Sequence, residues 1–380
     1  MEFLPMNNWQ TKKLGELAEY LNGYPFKPTD WVNSGLPIIR IQNLNDENKE
    51  YHYFNGNIGE KYRVRKGDIL ISWSASLGSY IWDKDDAWLN QHIFKVLVNE
   101  NEVNRDFFYF LSMTILEEMK RKTHGGTMKH ITKNLFENIQ VQLPPLSIQQ
   151  QIVERLDAIR KLQELNNKEI EKTEEMFDSL IKQQLALREN LVPLIEIAEI
   201  NPAVNIDKSK PIPFISMADV DGNMGRVVNI SYKENSGVGS GSRFENGDVL
   251  FARITPCTEN GKTALLNGLN TSGMGSTEFY VLRAKKDKAI PYFIYLLTRT
   301  DWFRQQAVVS MTGTSGRQRV PKSFFENVLI PSIPLSKQKD MQIMFSKIQE
   351  YQMIISARKD KLSELFESAL NKAMKGELVS

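Results

Sequence analysis

One cysteine, Cys257, in 380 residues leaves no internal disulfide to be made and fits a reducing cytoplasm. No stretch approaches the run of about eighteen apolar residues that a membrane-spanning helix needs. The first ten residues lack the basic-then-apolar order of a secretion signal. The expectation is therefore a soluble, cytoplasmic chain. The four histidines, His52, His92, His124 and His130, fall at no metal-ligand spacing, so no metal site is expected. Charge of one sign is also missing: 48 Lys and Arg stand against 46 Asp and Glu, for a net charge of +2. A chain so balanced meets a polyanion only with one concentrated face, or with a partner that supplies part of the phosphate contact.

Catalytic signatures are missing as well. There is no Walker lysine motif, no GxGxxG joining strand to helix and no nucleophile elbow. Asn201-Pro202 resembles the start of the Asn-Pro-Pro-aromatic motif of amino-methyltransferases, but it continues Ala203-Val204 and reads as a turn. Asp68 and Asp248 each follow a glycine and precede an apolar run. Such a carboxylate bonds nearby backbone amides more simply than it does acid chemistry. No catalytic residue is expected.

What the chain does have is an internal repeat. Residues 135–185 align without a gap on 324–374, at an offset of 189. Phe136-Glu137-Asn138 falls on Phe325-Glu326-Asn327, Pro145-Leu146-Ser147 on Pro334-Leu335-Ser336, and Gln149 on Gln338. Upstream the match continues at shifting offsets, as loops of unequal length require. Lys66-Gly67-Asp68-Ile69-Leu70 resembles Asn246-Gly247-Asp248-Val249-Leu250, and Gly126-Thr127 resembles Gly313-Thr314. The spacing predicts a pseudo-two-fold chain: globular segments at 1–145 and 189–333, and long helices at 146–188 and 334–380.

Each globular segment reads as mixed α/β (α+β) with many short strands. Ile38–Ile41, Asp68–Ser72, His92–Val96 and Asp248–Phe251 have strand character, while Phe107–Lys122 and Tyr292–Gln305 have helical periodicity. Along the first long helix Ile152, Leu156, Ile159, Ile170, Phe177 and Leu180 lie at alternating three- and four-residue steps, with Gln163, Asn166 and Thr173 between. Along the second, Met341, Phe345, Ile348, Ile355, Leu362, Phe366 and Ala369 hold the equivalent positions. These three- and four-residue steps predict two helices paired as an antiparallel coiled coil, with Gln163, Asn166, Gln352 and Lys359 in the seam setting register or facing a partner. Ser147 and Ser336 are placed to cap the helix starts, which leaves Gln149 and Gln338 unexplained.

Several repeated loops carry groups suited to nucleic acid. The first copy offers Arg63, Arg65 and Lys66 before the Gly-Asp strand, Trp73 and Ser74 after it, and Thr127, Lys129, His130 and Lys133 around its Gly-Thr loop. The second offers Arg243, Arg253, Thr255, Thr314, Arg317, Arg319 and Lys322. Arginine is the common bidentate reader of guanine, and hydroxyls and amides position phosphates. A similar frame with divergent loops suits a protein that reads two different half-sites.

The order of these elements resembles the specificity subunit of type I restriction–modification systems. The resemblance runs over essentially the whole chain and rests on Leu143–Gln151, Ile333–Gln338, the two Gly-Asp strands and the two Gly-Thr loops. Lys339, where the first helix has Gln150, departs from exact symmetry. The resemblance implies two target recognition domains, each reading one half of an interrupted, asymmetric site in double-stranded DNA, with the helices as spacer. It further implies two methyltransferase subunits docking near Leu146, Gln149, Leu335 and Gln338 and bringing S-adenosylmethionine, with motor-nuclease subunits as further partners. The chain itself would bind no cofactor and catalyse nothing. Two other classes stay open on the residues alone: a coiled-coil scaffold that binds proteins, and a self-contained DNA methyltransferase, for which no cofactor motif is visible.

Overall fold

The computed structural model describes residues 9–46, 48–74, 76–123, 132–185, 190–207, 209–234, 240–314 and 316–379. The chain divides into two compact units, Met1–Asn167 with Ala357–Ser380, and Lys168–Ser356.

In the first unit, a four-stranded antiparallel sheet runs in the order Ala18–Asn22, Ile93–Val98, Ile69–Ser72, Gly78–Ile81. Strand Ile69–Ser72 is buried throughout because both its faces are covered. Successive side chains point to opposite faces, so Ile69 and Ile71 join the core under helix Arg105–Thr123 with Tyr20, Phe94, Phe107 and Phe136. Leu70 joins a second core, with Ile39, Val64, Trp82 and Leu89, under the neighbouring sheet. That sheet runs His52–Phe54, Leu36–Ile39, Ala87–Leu89, Arg63–Val64, and its central pair is parallel. Strand Leu36–Ile39 stops short of the expected Ile41, which instead starts a helical turn at Ile41–Asn45, where Arg40 N–H donates to Asn43 Oδ1 at 3.1 Å.

The second unit repeats this order strand for strand. One sheet runs Ala198–Ile200, Phe279–Ala284, Val249–Ala252, Thr263–Leu265, and the other Ser231–Lys233, Ile212–Ile215, Gly273–Gly275, Ser242–Phe244. Strand Val249–Ala252 again alternates between two cores, Val249 and Phe251 in one, Leu250 and Ala252 in the other. The single helix expected over Tyr292–Gln305 is two, Pro291–Arg299 and Asp301–Val309. Thr300 between them has extended backbone and accepts the Phe303 amide on its hydroxyl, an N-cap inside an otherwise helical pattern.

The long helices span Leu146–Leu185 and Leu335–Met374, 40 residues each, or about 60 Å at the α-helical rise. Their pairing is antiparallel, as the seam predicts. In the first unit Ile152, Val153 and Leu156 pack in one core with Ala369, Ala373 and Met374, and Gln163 Nε2 donates to the Leu362 carbonyl at 3.3 Å. In the second unit Phe177 meets Phe345 edge-on at 5.1 Å, and Tyr351 bonds Glu169. Among the described residues no helix is long and apolar enough to cross a membrane.

Ser147 and Ser336 do not cap. The helices begin one residue earlier, so each serine lies inside the first turn and is exposed. The glutamines do the work instead. Gln149, fully buried, accepts the Asn104 amide at 2.6 Å and donates to the Pro144 carbonyl at 2.8 Å. Gln338 accepts the Ile290 amide at 2.9 Å and donates to the carbonyls of Ile333 and Lys288. Each amide ties the start of a long helix to the start of a domain helix and satisfies an N–H that the helix geometry leaves without a partner.

Candidate nucleic-acid interface

In both units the strand after the Gly-Asp turn ends beside the start of a neighbouring strand, and the side chains gathered there differ between the copies. In the second unit, Arg253 follows strand Val249–Ala252 and its amide donates to the Glu278 carbonyl at 2.9 Å. The Gly-Thr loop is held against the same place. Thr312 and Arg319 exchange backbone hydrogen bonds at 3.0 and 2.9 Å, and the Val320 amide donates to the Arg253 carbonyl at 2.8 Å. Gly313 turns this hairpin with φ of 120°, and a Cβ there would meet the Arg317 carbonyl oxygen at 3.0 Å.

Arg253 and Arg319, 66 positions apart in the chain, thus converge on Glu278. Arg319 donates through Nη2 at 2.7 Å and through Nε to both carboxylate oxygens at 3.1 and 3.0 Å. Arg253 donates through Nε at 3.1 Å, and its guanidinium lies 5.4 Å from the Tyr280 ring centre. The hydrogen bonds from Arg319, and then those from Arg253, hold the Glu278 carboxyl below the usual carboxylate range. Two cations therefore share one anion, leaving one net positive charge on a surface where Arg319 is 42 % exposed. Thr255 is beside this cluster, its amide donating to the Gln318 carbonyl at 3.0 Å and its hydroxyl bonding Glu259.

Glu278 escapes sequence reasoning because it carries no motif. The one available signal is positional: it precedes strand Phe279–Ala284 as His92 precedes strand Ile93–Val98. At the equivalent place in the first unit, the Trp73 amide faces the His92 carbonyl at 3.4 Å and the two rings lie 5.6 Å apart. The same backbone frame holds an aromatic pair in one copy and an ion cluster in the other.

The remaining candidates are not gathered into one site. Arg63, Arg65 and Lys66 precede strand Ile69–Ser72 while Trp73 and Ser74 follow it, so its length of about 13 Å separates them. The Arg63 guanidinium is held by Asp86 at 2.7 and 2.9 Å, and Arg65 pairs with Glu60 at 2.6 Å. Lys66 is exposed. Two expectations in this unit need correction. Ser74 is 6 % exposed and has little surface for a phosphate. The Trp73 ring stacks on Phe94 at 5.7 Å and packs on the core, which ties much of its indole to folding.

Thr127, Lys129 and His130 lie outside the described residues. Lys133 pairs along its own helix with Glu137 at 3.5 Å, as Lys322 does with Glu326 at 3.4 Å. Arg243 donates to the Val204 carbonyl at 3.3 Å and lines a cleft of about 460 Å³ with Asn201, Pro202 and Thr277. Asn201, in the left-handed region with φ of 50°, accepts the Val281 amide at 2.9 Å, which fits the turn expected there. Thr314 and Arg317 are exposed on the hairpin. A larger cavity of about 750 Å³, between Asp178, Trp302 and Leu329, contains none of the candidate residues.

The docking candidates divide in the same way. Gln149 and Gln338 are buried and committed to their own backbone, which withdraws them from a docking surface. Leu146 is 45 % exposed and Leu335 half-buried. Apolar side chains also lie open along the long helices: Leu162, Leu165 and Leu365 in the first unit, and Met176, Ile343 and Ile354 in the second.

Comparison with known proteins agrees with the repeated architecture. A family model described as the type I restriction modification DNA specificity domain matches residues 6–175 and 192–364. The EcoAI specificity subunit of Escherichia coli is 37 % identical over 158 residues, 41 % of this chain and 27 % of that protein. The EcoBI specificity subunit is 30 % identical over 40 % of this chain and 32 % of its own length. The chain thus spans about a third or less of these two relatives. The MjaVIII specificity subunit of Methanocaldococcus jannaschii is similar end to end, 20 % identical over 98 % of this chain and 93 % of its own. Among solved structures, the fold resembles a chain from work on assembly and conformational transition of the type I R-M system, with TM-score 0.59, 16 % identity and coverage of 99 % and 100 %. It also resembles the type I S subunit of M. genitalium, with TM-score 0.53, 12 % identity and coverage of 99 % and 97 %. With matches that cover both copies of its repeat, the chain belongs to the type I restriction modification DNA specificity family.

Proposed function

We propose that this chain is the DNA sequence-specificity subunit of a type I restriction–modification complex, with each unit reading one half of an interrupted, asymmetric site. The observation that carries this is the pair of units with identical strand order and different side chains at equivalent positions: Trp73 with His92 in one, Arg253 with Glu278 and Arg319 in the other. A shared frame with different side chains at the equivalent place is what two readers of unlike sequences require.

The paired helices set the gap between half-sites in this reading. Two methyltransferase subunits dock on the open apolar side chains of the long helices, with Leu146 and Leu335 at the helix starts. Those subunits bring S-adenosylmethionine and the groups that transfer its methyl to adenine, and motor-nuclease subunits join in systems that cut. The nearly balanced charge of this chain fits such a division, because partners then complete the phosphate contacts.

The test is a methylome by single-molecule sequencing from the source cell with and without this gene. Loss of one interrupted, adenine-methylated motif on deletion is the expected result, and it reads out both half-sites. An unchanged methylome, in cells that express the methyltransferase partner, overturns the proposal in favour of a protein-binding scaffold.

A further inference from the structure

We propose that Arg253 reads a guanine in the half-site of the second unit, and that Glu278, with Arg319 on its other side, is the positioning residue that aims it. This rests on the specificity reading above and names the base and the bracing that such a reading leaves open.

The argument is geometric. Arg253 spends Nε on Glu278, and its Nη1 and Nη2 have no hydrogen-bond acceptor among the described residues. The terminal edge of the guanidinium is thus free, and that edge presents two parallel donors. Guanine offers two acceptors, O6 and N7, on its major-groove edge, whereas adenine places an amino donor where O6 would be. A fork of two donors matches the first and opposes the second. Its plane is constrained twice over, by the Nε contact and by the Tyr280 ring 5.4 Å from the guanidinium carbon.

Glu278 itself has no oxygen left to read a cytosine amino group. One oxygen takes Arg319 Nη2 and Nε, and the other takes Arg319 Nε and Arg253 Nε. Arg319 is the weaker reader for the complementary reason. Its Nε and Nη2 are both on the carboxylate and its Nη1 donates to the Arg317 carbonyl at 3.3 Å, so all three of its nitrogens are already engaged, against one in Arg253. The Trp73–His92 pair at the equivalent place in the first unit contains no guanidinium, so the guanine assignment belongs to one half-site only.

The experiment uses the full chain assembled with the methyltransferase subunit of its own cell and a library of randomised duplexes, sequenced after selection. Wild type, Arg253→Ala, Arg253→Lys and Glu278→Gln are compared. Wild type is expected to select two half-sites, one of them with a fixed guanine. In Arg253→Ala the preference for that guanine falls by about tenfold or more, the scale of one bidentate contact, while the other half-site is unchanged.

Arg253→Lys keeps the charge and its pairing with Glu278 but not the fork, and loses the same preference. Glu278→Gln keeps guanine as the favoured base with a preference reduced severalfold. If Arg253→Ala abolishes its whole half-site through misfolding, Arg253→Lys decides. An unchanged guanine preference in Arg253→Lys, or equal relaxation of both half-sites in either arginine variant, overturns the assignment. Failure of the wild-type complex to select any interrupted site overturns instead the specificity reading on which it rests.

Discussion

Asp68 and Asp248 each accept a backbone amide three residues upstream at 2.8 Å, and each also meets a cation on the neighbouring strand. Lys95 reaches Asp68 at 2.8 Å, and Arg283 grips Asp248 with two donors at 2.7 and 2.8 Å. The two carboxylates differ in burial: Asp68 is 25 % exposed and Asp248 is 1 % exposed. Removing a buried partner leaves the other charge uncompensated, and that penalty grows with burial. Asp248→Asn is therefore expected to destabilise its unit by about 2 kcal/mol, discounted because Arg283 keeps some solvent and Glu245, while Asp68→Asn costs about half as much. Urea denaturation followed by hydrogen exchange in each unit measures both; equal costs would contradict the role given to burial. The glycine–aspartate turn was legible in the sequence because its amide partner is three residues away. The Glu278 cluster was not, because its members come from positions 253, 278 and 319 and only strand pairing unites them.

The long helices were readable as elements from their apolar seam, but what starts them was not. Proline and serine before an apolar run suggest a capped end, and the helices in fact begin at Leu146 and Leu335, with glutamine three residues on as the anchor. A glutamine that bridges to a second helix has no local signature; its repetition at Gln149 and Gln338 was the only hint. In the same way, periodicity carried the expected domain helix through Thr300, where a side-chain cap divides it. The anchoring has a direct consequence. Gln149→Ala strands the Asn104 amide in a buried position and is expected to cost about 1–3 kcal/mol, whereas Ser147→Ala on the adjacent exposed turn stays within about 0.5 kcal/mol. Amide exchange at Asn104 should accelerate in the first variant and not in the second. A reversed order would restore the capping role to the serine.

At the level of the whole chain, the repeat was visible in the sequence, but its boundaries are set by packing rather than by the edges of elements. The core of the first unit includes Leu14, Phe107 and Phe136 from the globular segment. It also includes Ile152, Val153 and Leu156 from the first long helix, and Ala369, Ala373, Met374 and Val379 from the end of the chain. Arg155 bonds the Leu378 carbonyl in the same unit. An exchange of residues 1–145 alone, taken from another specificity subunit, cuts through this core and sets foreign side chains against the native helices. Misfits of this kind cost about 1–3 kcal/mol each in a packed core. A chimaera that also carries the donor's counterparts of 146–167 and 357–380 keeps the core intact, because those segments complete the compact unit. Both chimaeras are expected to replace one half-site and leave the other, since the cores of the two units share no residue. Only the narrower exchange should lower the melting temperature of the first unit. Thermal unfolding of the two proteins, paired with methylome sequencing of cells that express each, measures stability and specificity separately. Equal melting would show that residues 1–145 carry their own core. A change in both half-sites would show that the two readers are not independent.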